Sequence, residues 1–278
     1  MEKGIDFPVV TLDELLENHL YLAQQVNAKL KPVPLFQSYL KKGYYPYYKE
    51  DEEFYSEKLL NTVNVILETD LPAVEKIESH SVRKIKQLLR IMAQRVPFTP
   101  NIRELAALIG VSRNSLLSYL VFLQKAHLIG LLKQDVSGLR TLAKPEKIYL
   151  DNTNVIYALE NSKPDLGNIR ETFFFNQLNA VSKVTSSART DFTVNDVFQF
   201  EVGGKNKGRE QISGLDNVYS AIDNVEYGFA NKIPLRMFGF LYQDLSNQKK
   251  LTGLHVNGSG FSRSIRRGYF LQKKCFCL

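Results

Sequence analysis

The chain has 278 residues, 44% of them apolar and 23% charged, which is enough to fold and allows two or three modest domains rather than one large core. The composition excludes wholesale disorder, and no uncharged apolar run reaches the roughly 18 residues that a membrane-spanning helix needs. The formal charge of +7 is uneven: from Gln243 onward seven bases face the single acid Asp244, a net +6 that leaves +1 for everything before it. The start, Met1-Glu2-Lys3-Gly4-Ile5-Asp6, has no apolar core and does not read as a secretory signal, and a body without cysteine suits a reducing, cytoplasmic setting. Cys275 and Cys277 alone can build neither a four-ligand zinc site nor a disulfide framework.

Residues 1–80 read as a helical, lid-like or connector segment. Thr11-Leu12-Asp13-Glu14 resembles a capping box ahead of Leu15 and Leu16, and Leu35, Phe36, Tyr39 and Leu40 recur at helical spacing. Gly43-Tyr44-Tyr45-Pro46 breaks the helix. A further helix is predicted from about Glu52 to Leu67. The ring cluster Tyr44, Tyr45, Tyr47, Tyr48, Phe54 and Tyr55 has few interleaved bases. It is expected to be half-buried against a neighbour rather than to stack on nucleotides.

Residues 81–146 carry the sharpest pattern. Val82 to Gln94 is an amphipathic helix; Asn101 and Glu104 offer a second capping box for Ile102 to Ile109; Gly110-Val111-Ser112 is a tight turn; and Arg113 to Lys125 is a third helix. Ala106 and Ala107 are small where two helices must cross, Gly110 can take positive φ, and Ser112 caps the next helix. Strands over Leu128 to Leu132 and Lys147 to Leu150, with turn chemistry at Asp135 to Gly138, complete a winged helix-turn-helix. In the DNA-reading version the front of the third helix enters the major groove. Arg113, Asn114, Ser115 and Ser118 would then meet base edges, with Lys125 and Arg140 on phosphates. The rival is a winged helix used as a rigid connector or protein-binding surface.

Residues 147–242 read as an α/β unit. A mostly buried helix is predicted from Gly167 to Val181, around the run Phe173-Phe174-Phe175. Strands are predicted near Lys183 to Ser186, over Asp191 to Val194 and over Val197 to Val202. A helix from Leu215 to Asp223 and a strand from Ile233 to Tyr242 should follow. Glu171, Asp191 and Glu201 can converge on one divalent ion, with Mg²⁺ the candidate between Asp191 and Glu201, and Lys205 can polarise a phosphate. The rival is three acids on unrelated surfaces. Residues 243–278 read as a disordered basic tail, although Ser262 to Arg267 with Lys273 and Lys274 could clamp nucleic acid or an acidic lipid surface.

The order of these motifs resembles the C-terminal part of a large prokaryotic family of AAA-type ATPases. The residues that carry it are Phe36-Gln37-Ser38-Tyr39-Leu40 with Gly43 to Pro46, the run from Pro100 to Leu132, and Lys144-Pro145-Glu146-Lys147 through Asn154. Arg170 to Phe174, Phe200-Glu201-Val202-Gly203-Gly204-Lys205 and Ile233 to Tyr242 complete it. The resemblance spans about residues 11–242. It implies a mixed α+β fold: lid helices, a winged helix and a PD-(D/E)xK nuclease-like domain with a central mixed sheet. It also implies an active site of acids matching Glu171, Asp191 and Glu201 with a lysine two residues after the last. Here that position is Gly203, which predicts a degenerate site, Lys205 lying two residues further on. No Gly-x-x-x-x-Gly-Lys-Ser/Thr run occurs, so ATP would enter only through a domain outside this chain. The expectation is a DNA-binding or partner-binding module of an ATPase system without catalysis of its own. An Mg²⁺-dependent nuclease and a structural adaptor are the alternatives. DNA and a protein or ATPase-domain partner are expected, and a membrane is not.

Overall fold

A computed structural model describes residues 10–75, 77–94, 97–134, 145–159, 164–204 and 217–241. Among them the chain is mixed α+β, with nine α-helices, a two-stranded hairpin and a five-stranded mixed sheet. No single described helix is long and apolar enough to cross a membrane. The expected features of Lys205, of Arg140 and of the tail after residue 242 lie outside the described residues.

Helix α1 (Leu12–Lys29) opens on the capping box. The Thr11 hydroxyl accepts from the Glu14 N–H at 3.3 Å, and the Glu14 carboxylate accepts from the Thr11 N–H at 2.8 Å. Pro32 pre-sets the first turn of α2 (Pro32–Lys41). Helix α3 (Tyr55–Val65) runs through a π-helical turn at Ile66–Asp70 into α4 (Leu71–Glu75), and α5 (Ser79–Ala93) buries Val82, Ile85, Leu88, Leu89 and Met92 at helical spacing. Helices α6 (Ile102–Ile109) and α7 (Arg113–Lys125) meet at 93°. Strands β1 (Ile129–Leu132) and β2 (Lys147–Leu150) pair antiparallel, Ile129 opposite Leu150, and a bridge from Phe98 to Ile148 adds the segment before α6 to their edge.

Helices α8 (Thr153–Leu159) and α9 (Leu166–Asn179) lead into the larger sheet. Its strands are β3 (Val184–Ser186), β4 (Phe192–Val194), β5 (Phe198–Gly203), β6 (Val218–Ile222) and β7 (Lys232–Pro234), in that spatial order. The first three are antiparallel, and β5, β6 and β7 are parallel.

Two expectations are corrected here. The segment predicted as a helix over Leu215 to Asp223 is strand β6 where it is described. Its alternating Val218, Ser220 and Ile222 line one face while Tyr219 and Ala221 line the other, and pairing with β5 outweighs local preference. The strand predicted over Ile233 to Tyr242 stops at Pro234, which has no N–H to extend a ladder, and gives way to a 3-10 helix at Leu235–Phe240.

Helix α9 is the axis of the core. Its three consecutive phenylalanines, 100° apart around the helix, enter three different neighbours. Phe173 meets Phe36 of α2 edge-on at 4.8 Å; Phe174 meets Phe192, Phe200 and the Phe238 ring at 4.8–5.2 Å; and Phe175 stacks on Tyr149 of β2 at 4.7 Å. Each buried ring contributes about 1.5–3 kcal/mol by area alone, so this one turn fastens helices, sheet and hairpin together. The first helices belong to the same core. His19 of α1 reaches the Ala230 carbonyl at 3.0 Å, and Asn27 donates to the Glu226 carbonyl at 3.2 Å. The Arg236 guanidinium donates to the Asn27 side chain at 3.2 Å.

Candidate functional site

Two surfaces gather the residues singled out by sequence. The first is the front of α7. Gly110 sits at φ 66°, a left-handed conformation that a side chain would strain, and closes α6 with its N–H directed at the Ala106 and Ala107 carbonyls. A Cβ on Gly110 would also lie 3.3 Å from the Lys84 ammonium, which places that cation against the C-terminal end of α6, where the helix dipole favours it. The Ser112 hydroxyl accepts from the Ser115 N–H at 3.1 Å, so Ser112 caps α7. Arg113, Asn114 and Ser118 are exposed. Ser115 is half-buried, and its own hydroxyl is drawn onto that of Ser112 at 2.9 Å. Lys125 stands apart from them, at the other end of a 13-residue helix and so about 18 Å away. It is ion-paired with Glu75 at 2.8 Å.

The second surface is a cleft of about 450 Å³ between the hairpin and the β3–β4 edge, lined by Thr99, Glu146, Lys147, Ser187, Thr190 and Asp191 among others. Glu171, near the start of α9, stands close by. Its carboxylate accepts from the Lys147 ammonium at 3.1 Å and from the Tyr149 hydroxyl at 3.0 Å. Burial, then the charge of Glu171 and, less strongly, that of Asp191, push the Tyr149 phenol far above its ordinary range, so it remains a donor at all accessible pH.

Asp191 precedes β4. Its N–H donates to the Phe200 carbonyl at 3.0 Å, and its carboxylate accepts from the Val202 N–H at 2.8 Å. The side chain thus supplies the acceptor that a regular ladder would take from backbone. Glu201 lies between those two β5 residues, is buried, and pairs with Ser220 across to β6.

The three acids are therefore near one another along the chain's fold but are differently engaged. Glu171 is neutralised by Lys147, and Asp191 is absorbed by the sheet. Among the described residues no three His, Cys, Asp or Glu side chains converge so as to hold a metal ion. Both printed contacts of Glu171 fall on one carboxylate oxygen, and one oxygen of Asp191 already accepts a backbone hydrogen, so neither carboxylate is wholly open to a cation.

Sequence reasoning missed Lys147 and Tyr149 as partners of Glu171, although strand alternation puts both on one face of β2. It also missed a polar network beneath the aromatic cluster. Asn154 accepts from the Tyr44 N–H at 2.9 Å and from the Tyr55 hydroxyl, and donates to the Tyr39 and Leu40 carbonyls. Asn152 donates to the Tyr45 hydroxyl at 3.0 Å and to the Asp151 carboxylate at 3.2 Å. Burial raises the Asp151 carboxyl to about 7. Tyr44, Tyr45, Tyr47 and Tyr48 are half-buried, whereas Tyr55 is fully buried and Phe54 is exposed; Tyr45 and Tyr47 stack at 5.6 Å on each other.

A family model described as "Domain of unknown function (DUF8612)" matches residues 33–166, from α2 to the first residue of α9, leaving the five-stranded sheet outside the match. No curated protein and no solved structure matches the chain.

Proposed function

We propose that this protein is a DNA-binding module in which a winged helix built from α5, α6, α7 and the β1–β2 hairpin presents the front of α7 to the major groove. The observation that carries this reading is the exposure of Arg113, Asn114 and Ser118 together at the capped front of a helix set at 93° to its predecessor. The element order supports it: a helix, the Phe98 bridge, two helices and a hairpin to which that bridge pairs. Arg113 and Asn114 have the chemistry for guanine and adenine edges, whereas Ser115 serves the cap and Lys125 its ion pair.

The larger sheet belongs in this reading as a non-catalytic partner. Three antiparallel strands followed by parallel ones, with Asp191 and Glu201 on the paired β4–β5 edge, support descent from the PD-(D/E)xK nucleases. The engagement of Glu171 by Lys147 and Tyr149, and of Asp191 by Val202, argues against phosphodiester cleavage. The resemblance to AAA-type ATPase systems adds an ATPase partner to the proposal.

The test is fluorescence anisotropy with a random-sequence labelled duplex in low salt, repeated across a salt series. Binding that weakens steeply with salt is expected. Arg113→Ala with Asn114→Ala should weaken the best-bound duplex by about tenfold to a hundredfold, the equivalent of about 1–3 kcal/mol for a bidentate base contact. Absence of duplex binding at low salt overturns the reading.

A further inference from the structure

The solvent face of α5 carries more positive charge than the front of α7. From Ser79 to Ala93 the helix contains Arg83, Lys84, Lys86 and Arg90 and no acid. Arg83, Gln87, Arg90 and Gln94 are all exposed at spacings of four, three and four residues, which makes one continuous stripe. With Lys86 and Ile91 they line a shallow groove of about 340 Å³. Lys86 is ion-paired with Glu68. No acid lines the groove beside the Arg83 and Arg90 guanidiniums, and the two glutamine amides between and beside them can donate to oxygen.

This stripe is joined to the front of α7. Lys84, the neighbour of Arg83, holds its ammonium against Gly110, three residues before Arg113. The Tyr119 hydroxyl of α7 donates to the Ser81 hydroxyl in the first turn of α5 at 3.0 Å. These two contacts tie the N-terminal half of α5 to α7 and to the turn before it. Arg83 and Arg90 stand seven residues apart, about 10.5 Å along the helix axis.

We propose that the α5 groove is a phosphate track: Arg83 and Arg90 bind the backbone of a nucleic-acid strand that leaves the front of α7. This rests on the DNA-binding reading and adds to it a second, sequence-independent contact surface. Arginine suits the role because its planar fork can grip phosphate oxygens bidentately. Such contacts fix register and affinity without reading bases.

Salt dependence measures the number of phosphates engaged. Each contact contributes about −0.9 to the slope of log K against log salt on duplex DNA. Arg83→Ala with Arg90→Ala should therefore flatten the slope by about 1.8, equally for all duplex sequences, while Arg83→Lys with Arg90→Lys should restore most of it. Thermal unfolding of both variants, at exposed positions, checks that the fold is kept. An unchanged slope in the alanine pair overturns the phosphate track and leaves the α7 reading standing. A protein that binds no duplex at low salt overturns both. Loss of slope that the lysine pair does not recover assigns the effect to helix packing and also overturns the track.

Discussion

Asp151→Asn should make the protein more stable at pH 8 and leave it unchanged at pH 4. Asp151 follows β2, its N–H donates to the Leu128 carbonyl at 3.0 Å, and its carboxyl sits beside the buried hydroxyls of Tyr44 and Tyr45 with one donor, the Asn152 amide, at 3.2 Å. Burial raises its folded pKa to about 7, whereas the unfolded chain holds it near the ordinary value of about 3.9. Between these values the native state keeps a proton that the unfolded chain releases. The contribution of Asp151 to stability is therefore largest below about pH 4, falls as pH rises toward 7, and is flat above it. Three pKa units at about 1.4 kcal/mol each set a ceiling of about 4 kcal/mol on the loss. The asparagine variant is neutral throughout and can still accept from Asn152 through its amide oxygen. Urea denaturation of both proteins at pH 4, 6 and 8 provides the comparison. Two stability curves that run parallel from pH 4 to 8, or a variant less stable at pH 8, would refute the account of a carboxyl forced to charge in a desolvated place.

Two further substitutions probe the framework of the sites. A Cβ on Gly130 would meet the Phe175 ring at 2.4 Å, and that ring stacks on Tyr149. Gly130→Ala should cost about 1–3 kcal/mol by overpacking, read as a fall in Tm of several degrees. An equal or higher Tm would show that the strand and ring are not in close approach. Ser112→Ala removes the cap of α7 and should cost about 1 kcal/mol, with a proportionate loss of duplex affinity if the helix front frays. Unchanged thermal stability would show that the cap does not hold the helix.

The local grammar of helices was the most legible part of the chain. Thr11 with Glu14, Asn101 with Glu104, and Gly110 followed by Ser112 each specify a boundary through a few atoms, and the side chains of Thr11, Asn101 and Ser112 all accept from the N–H three residues on. The run Phe173-Phe174-Phe175 announces a mostly buried helix, and the three rings go to three different elements. What failed was decided at long range. Nothing local distinguishes Val218 to Ile222 as a strand, because its reason to extend is the parallel β5 edge beside it. Ion pairing is equally nonlocal: Lys147 and Glu171 are 24 residues apart, Lys125 and Glu75 fifty. A sequence shows which charges exist but not which of them are already answered, and that pairing separates a binding surface from a solvated or structural one.

The same distinction bears on the docking alternative. An adaptor that grips a partner through its first helices must leave their apolar faces uncovered. Leu15, Leu16, Ala23 and Val26 of α1, Phe36 and Leu40 of α2, and Leu59 and Val63 of α3 are all buried within the chain's own core, against α8, α9 and the edge of the larger sheet. The large apolar side chains that these helices expose, Leu20, Tyr21 and Val65, together with Phe54 just before α3, are few and spread over 46 residues of sequence. The exposed cations lie elsewhere: Arg83 and Arg90 on α5, in a groove lined by no acid, and Arg113 at the start of α7. Scattered exposed apolar side chains on the first helices, beside exposed arginines on α5 and at the start of α7, favour the proposed nucleic-acid contact over docking through those helices.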